Sequence, residues 1–200
     1  MRVLWLVLLL VAIAAAGALY LTNARGLSAR EKPSVVEQWI ARRARAMAMP
    51  SDAKARVNPV PDSPEALKDA RAHWADHCAA CHANNGSGDA LMGKGMYPPA
   101  PDMRQPETQQ LTDGELFFII QNGIRLTGMP GWGGGKAHDE QDSWKLVRFI
   151  RHLPQLTAEE EAEMQTLNPK SPDDLKEEQF EHDFLTGDTP NEHTEHEHHH

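Results

Sequence analysis

Cysteine is scarce in this 200-residue chain, which has two cysteines separated by two residues. A disulfide between them would add little stability, because the stabilisation grows with the loop that is closed. A structural zinc site needs four ligands, and the nearest histidines, His73 and His77, precede the first cysteine on what is predicted to be one helix. A thioredoxin-like dithiol follows a strand, whereas a helix is predicted here. All three interpretations are therefore disfavoured.

Long uncharged runs are also scarce, and one stands out at the amino terminus. The 19 residues from Val3 to Leu21 carry no charge. As a helix they would span about 28 Å, close to the thickness of a bilayer core. Residues 1–22 are therefore predicted to form an uncleaved transmembrane anchor. A cleaved signal peptide is the alternative, because Ala14 to Ala18 offers a small-residue cleavage site.

The two cysteines belong to the sequence Cys78-Ala79-Ala80-Cys81-His82. Two thiols at this spacing can each form a thioether with a haem vinyl group, and a histidine directly after them can reach the iron. The motif predicts one covalently attached haem c, with His82 as an axial ligand.

An electron carrier needs a second axial ligand, and a methionine thioether is a common one that raises the reduction potential. Met129 is favoured, because Gly128 lets the backbone approach the haem and Pro130 restricts Met129 to an extended backbone. Met103, in a proline-rich stretch, is the alternative. Met92 and Met96 are expected to fill apolar gaps.

Charge is distributed unevenly along the chain. Residues 22–60 have eight Lys or Arg against three Asp or Glu, whereas residues 154–200 have two against fourteen. This segregation predicts a basic membrane-proximal arm, a folded module and an acidic end. The predicted domains after the anchor are a basic linker (23–62), a cytochrome c domain (63–154), an acidic helical extension (155–185) and a disordered His-rich tail (186–200).

The basic linker contains a predicted amphipathic helix. Its apolar residues at helical spacing are Val35, Val36, Trp39, Ile40 and Met47, with arginines on other faces. Such a helix can attach to anionic lipid or to a partner subunit. Packing against the haem module is the alternative.

Three helices are predicted in the module. Ser63 can cap a first helix that starts at Pro64 and delivers the cysteines at its end. Thr112 and Glu115 form a capping box for the second, and an apolar stripe marks a third from about Glu140 to Leu153. Two acidic helices, starting near Thr157 and Ser171, are expected on the module's surface.

The carboxyl end is rich in histidine, with six of the eleven from His182 onward. Imidazoles interleaved with carboxylates can bind zinc, copper or nickel, so a divalent transition metal is one expected partner of the tail. A solvated acidic tail or the remnant of a purification tag are the alternatives.

Residues 63–154 resemble the class I cytochrome c family. The matching features are Trp74 before the Cys78 to His82 motif, the Gly86 to Asp89 turn, Pro98 to Asp102, Gly128 to Trp132, and the helix from Trp144 to Leu153. The resemblance implies an all-α fold around one covalently bound haem, here with an N-terminal transmembrane helix and extra C-terminal surface helices.

The resemblance also implies roles for other residues. The carbonyl of Pro99 or Pro101 would accept a hydrogen bond from the His82 ring and fix its orientation. Tyr97, Arg125 and Trp132 are expected to meet the haem propionates. The family often has glycine where this chain has Ala83, which should alter the turn slightly.

Cytochromes c receive their haem outside the cytoplasmic membrane, so the resemblance implies a periplasmic haem domain on a single-pass anchor in a bacterial membrane. The motif order disfavours a cytochrome c′-type bundle, and nothing suggests the second haem of a di-haem peroxidase. The expected function is one-electron transfer between redox proteins at the membrane, with no enzymatic activity of its own and no nucleic-acid partner. The alternatives are a subunit of a larger dehydrogenase or oxidase, and a role in metal handling.

Overall fold

The computed structural model describes residues 2–25, 28–170 and 172–186, and no β-strand occurs among them. The all-α prediction is confirmed. A π-helical turn, Trp74–Cys78, joins α4 to α5, and a 3-10 turn, Leu153–Gln155, follows α9. The helices are α1 (Arg2–Arg25), α2 (Val35–Ala48), α3 (Ser51–Ala55), α4 (Pro64–His73), α5 (Ala79–His82), α6 (Leu91–Lys94), α7 (Pro106–Gln109), α8 (Asp113–Asn122), α9 (Ala137–His152), α10 (Ala158–Leu167) and α11 (Pro172–Thr186).

The helix starts follow the capping signals of the sequence. The Ser63 hydroxyl accepts a hydrogen bond from the Ala66 amide at 3.2 Å, with Pro64 in the first helical position. At α8, Thr112 and Glu115 exchange the two hydrogen bonds of a capping box. Both predicted starts are confirmed, because a side chain there satisfies amides that a helix leaves unpaired.

The core of the module lies between α4, α8 and α9. The Trp74 and Phe149 rings meet edge to face with centroids 5.3 Å apart, and Phe117 stacks on Trp144 at 4.1 Å. Val147 and Phe149 have no exposed surface. The predicted stripe on α9 is therefore the centre of the core.

The end of the predicted linker is docked on the module. The Asn58 side-chain amide donates to the buried Trp144 carbonyl at 2.9 Å, and the Arg148 guanidinium donates to the Val60 carbonyl. The Arg56 guanidinium lies 4.2 Å from the Phe117 ring centroid. These contacts fix the chain to α8 and α9 before α4 begins.

The first acidic helix, α10, also packs on the module. Met164 has no exposed surface and lies in the core cluster. Arg71 of α4 pairs with Glu160 at 2.7 Å and with Glu163 at 3.0 Å. The fully buried Met164 lies beyond the predicted domain boundary at residue 154. That boundary stays a prediction.

At the amino terminus, α1 is long and apolar enough over Arg2–Tyr20 to cross a membrane, and none of this stretch is buried. It is the one such helix among the described residues. A signal sequence near the amino terminus meets the same criteria of length and composition.

The turn after α5 is strained at Ala83. Its φ of 60° and ψ of 161° fall in a region that favours glycine. The Ala83 carbonyl accepts a 3.0 Å hydrogen bond from the indole of Trp74, which is 2% exposed. The surrounding core therefore holds this residue in an unfavourable conformation.

We expect Met164→Ala to lower the free energy of unfolding by about 2–5 kcal/mol, because it empties a fully buried site. Chemical denaturation of the purified protein measures the change. Leu167→Ala, on the same helix at a 41% exposed position, is the control and should cost less than about 1 kcal/mol. Equal small losses for both variants would mean that α10 is not part of the folded module.

We expect Ala83→Gly to raise the free energy of unfolding by about 1 kcal/mol, because relief of left-handed strain exceeds the added entropy of glycine. Chemical denaturation measures this change as a higher midpoint with an unchanged m-value. The control is Ala72→Gly in α4, an exposed helical position where glycine should cost about 1 kcal/mol. A loss of stability in both variants would show that Ala83 is not strained.

Candidate haem-binding site

The two cysteines and His82 lie on consecutive turns that follow α4. Cys78 ends the π-helical turn, and Cys81 and His82 lie in α5. A π-helical turn inserts an extra residue into the helix, a feature found frequently at functional sites. The hydrogen bond from Trp74 to Ala83 ties the start of this segment to its end, so the three side chains have a fixed backbone.

His82 is buried and lacks a hydrogen-bond partner at one ring nitrogen. The residue is 8% exposed, and its Nδ1 atom, which is inaccessible to water, contacts no donor or acceptor within the described structure. Burial lowers the pKa of His82 to about 4. The ring is therefore neutral at neutral pH and keeps a lone pair, as a metal ligand requires.

Cys78 and Cys81 are free thiols, each partly buried. Burial raises the pKa of Cys78 to about 12, and the neighbouring Cys81 contributes in the same direction. A catalytic dithiol has a lowered thiol pKa, and zinc binds the thiolate. The raised pKa of Cys78 is therefore unlike that of a catalytic dithiol, but it does not bear on zinc, because a bound metal ion deprotonates a coordinating thiol.

The segment 83–103, which is irregular apart from α6, folds over residues 78–82, the predicted attachment turn. The Gly88 amide donates to the His82 carbonyl at 2.9 Å, and the Met103 amide donates to the Gly86 carbonyl at 2.8 Å. Gly93 lies so close to the Cys81 carbonyl that a Cβ atom would collide with it. The attachment turn is therefore covered by backbone rather than by bulky side chains.

The proline loop is partly exposed. Pro99 is half-buried and Pro101 is exposed. The structure gives neither carbonyl a hydrogen bond from His82, so that contact stays a prediction. Tyr97 is 41% exposed, and its hydroxyl donates to the Glu37 carboxylate of α2 at 3.0 Å. This hydrogen bond raises the pKa of Tyr97.

The segment with Met129 is held at both ends by hydrogen bonds. The Ile124 amide donates to the Met129 carbonyl, and the Met129 amide donates to the Thr127 hydroxyl, both at 3.1 Å. The Trp132 amide donates to the Ile120 carbonyl at 2.9 Å. Met129 itself is half-buried. A short loop pinned in this way can hold a thioether in a defined place.

This loop meets the other parts of the site through two side chains. The Trp132 ring lies 5.6 Å from the ring of His77, the residue before Cys78. The Met96 sulfur packs against Gly128, where a Cβ atom would collide with it. These two contacts bring together three parts of the site: the Met129 loop, the attachment turn and the segment 83–103. Arg125, in contrast, is exposed.

Sequence reasoning missed the contact of His77 with Trp132. Both residues also line a pocket of about 170 Å³ with His73, Asp139 and Asp142. Nothing in the order of residues signals this pocket, because its walls come from α4, the Met129 loop and α9. Burial, and then the neighbouring His77, lowers the pKa of His73.

The structure gives no support to the expected metal-binding tail. Residues 187–200, which carry its histidines after His182, lie outside the described residues. Within the part of the chain that the structure describes, no group of three or more His, Cys, Asp or Glu side chains could hold a metal ion.

The donor set fits a covalently held haem: two thiols, a buried neutral imidazole and a pinned loop with a thioether. Residues 65–150 match the family model described as cytochrome C oxidase, cbb3-type, subunit III. A search of curated proteins finds no match. The matched range lies within the predicted module of residues 63–154. The chain therefore carries a class I c-type cytochrome domain, a haem-binding module of electron transfer, behind an N-terminal helix that is a candidate membrane anchor or signal sequence.

Proposed function

We propose that this protein is a membrane-tethered, single-haem electron carrier of the periplasm. One haem c is attached through Cys78 and Cys81, and its iron is ligated by His82 and Met129. The observation that carries the proposal is the buried His82 ring, with an unpartnered Nδ1, one residue after two free thiols. The haem, when bound, supplies the one-electron chemistry, and the protein supplies binding, orientation and electrostatics.

Each residue then has a distinct task. Cys78 and Cys81 would hold the haem through two thioethers, each formed by addition of the thiol S–H across a vinyl group. His82, kept neutral by burial, would hold the iron through a ring nitrogen. A carbonyl of Pro99 or Pro101 orients that ring by accepting its N–H, as supporting groups around metal ligands do.

Met129 would hold the iron through its thioether sulfur. Its backbone hydrogen bond to Thr127 fixes the residue, and a thioether ligand raises the reduction potential relative to a nitrogen ligand. Tyr97, Arg125 and Trp132 meet the haem propionates. The propionate carboxylates would need partners as they leave water. Arg125 and Trp132 offer a guanidinium and an indole N–H, whereas the Tyr97 hydroxyl would have to leave Glu37 to donate to a propionate.

The location follows from the same assignment. Haem c is attached outside the cytoplasmic membrane, so α1 would cross that membrane once and leave the haem domain in the periplasm. Exposed apolar side chains along Arg2–Tyr20 support the spanning role.

We expect Met129→Ala to lower the reduction potential and to abolish the low-spin spectrum of the His/Met-ligated haem, because it removes the thioether. Optical spectra during a redox titration of the detergent-solubilised holoprotein measure both. The matched controls are Met96→Ala and Met103→Ala, which should keep the wild-type spectrum. Loss of the low-spin spectrum in a control variant, with retention in Met129→Ala, would contradict the ligand assignment.

Attachment is read from the same preparations on a denaturing gel stained for haem. The wild type and Met129→Ala should retain haem, whereas the double variant Cys78→Ser with Cys81→Ser should lose it. Haem retention by the double variant would contradict thioether attachment.

A second candidate is a subunit of a larger oxidase, favoured by the cbb3-type family model that matches residues 65–150. In that case electrons would leave the haem for a partner within one stable complex. Mild-detergent extraction from the native membrane, followed by native mass measurement, should then give an assembly much larger than 22.3 kDa with co-eluting oxidase activity. Elution as a lone monomer without that activity would favour the independent carrier.

A further inference from the structure

The amphipathic helix α2 leaves its apolar side uncovered. Trp39 and Ile40 are 56% and 54% exposed, and Val35 and Met47 are 78% and 85% exposed. No residue of α2 is buried. With 100° between successive helical residues, these side chains and Val36 share one side of the helix, where Trp39, Ile40 and Met47 line a shallow apolar groove.

The opposite side of α2 faces the cytochrome domain. Glu37 accepts the hydrogen bond from Tyr97 at 3.0 Å. Arg45 is half-buried, and this burial lowers its pKa against the opposing effect of Glu115. Directly after the helix, Met49 is buried in a small cluster with Ala53 and Ile119. The domain therefore holds α2 by its polar side and cannot also cover the apolar one.

Basic side chains accompany the apolar residues. Arg42 and Arg43 are exposed. The expectation that the arginines lie on other faces is wrong for Arg43, because at 100° per residue it falls between Trp39 and Val36. Arg43 lines the same groove, and its guanidinium lies 5.6 Å from the Trp39 ring centroid. Long arginine side chains can lie along apolar surface while the charged end reaches water or a phosphate. The segment 22–60 has an excess of five positive charges. An anionic surface with an apolar interior complements both features.

The position of α2 along the chain brings it to such a surface. α1 ends at Arg25 and α2 begins at Val35, so nine residues join them. Fully extended, they span about 30 Å. Provided that α1 is the membrane anchor of the proposed function, α2 stays within that distance of the bilayer.

We propose that α2 lies flat in the interface of the same membrane, with Val35, Trp39, Ile40 and Met47 among the acyl chains and Arg42 and Arg43 at anionic lipid headgroups. The occupant of the apolar face is the lipid surface itself. Through Glu37, Arg45 and Met49, this contact sets how the cytochrome domain is oriented over the membrane.

The test uses the full-length holoprotein in nanodiscs of phosphatidylcholine, alone or mixed with phosphatidylglycerol. Brief hydroxyl-radical exposure followed by peptide mass spectrometry measures methionine oxidation. Met92 does not fill an apolar gap as the sequence predicts: it is 60% exposed on α6 of the cytochrome domain and serves as the internal control. In the anionic discs Met47 should oxidise several-fold more slowly than Met92, although it is the more exposed of the two in the folded chain.

The double variant Arg42→Glu with Arg43→Glu should restore Met47 oxidation in anionic discs and leave Met92 unchanged. Equal oxidation of Met47 and Met92 in the wild type would overturn the proposal. Protection of Met47 in native membranes but not in pure lipid discs would overturn it as well, because a protein would then cover the face.

Failure of the proposed function gives a different result in the same samples. The haem spectrum and the haem-stained gel report the redox site, and co-elution with the disc reports the anchor. With all three intact, the oxidation of Met47 alone decides whether α2 contacts lipid.

Discussion

The contact of Trp74 with Phe149 holds the predicted attachment turn to α9, the longest helix of the domain. Trp74 begins the π-helical turn that ends at Cys78, and its indole N–H reaches the carbonyl of Ala83 on the far side of the motif. The ring itself is buried against the core. The Trp74 side chain thus connects the apolar core to the segment that carries the two cysteines and to the turn after His82. Because the core is closely packed, it fixes the position of that segment.

Close backbone contacts help to place the segment 83–103 and the Met129 loop, in addition to the packing of Trp132 on His77 and of Met96 on Gly128. Glycines allow close approach: Gly88 lies beside the Ala100 carbonyl, Gly93 beside Cys81, and Gly123 beside the Met129 carbonyl. A flat cofactor needs walls that come near without filling the space. Glycine and proline supply such walls, because they shape the chain while adding little bulk.

Much of this arrangement could be predicted from the sequence, because its signals are local. The Cys78 to His82 spacing states its chemistry within five residues, and the caps at Ser63 and Thr112 act over three. The burial of Met164 could not be predicted from the sequence, because α10 is acidic along its length. Which of its side chains is buried depends on where α4 lies in the fold. The π-helical turn has no sequence signal of its own. The place of Met96 against Gly128 depends on how two distant loops meet.

The docked linker has a consequence for how far the redox centre can travel. In the sequence-based domain prediction, about forty residues (23–62) separate the N-terminal apolar helix from the domain, a length typical of a flexible linker. Met49, Asn58 and Val60 pack on the domain, and Glu37 of α2 accepts a hydrogen bond from Tyr97, so nine residues separate α1 from the helix that first contacts the domain. A short linker between anchor and domain raises the local concentration of nearby electron acceptors and puts distant acceptors out of reach. If α1 is the membrane anchor of the proposed function, electron exchange would therefore favour partners in the nearby membrane over soluble proteins that arrive by diffusion.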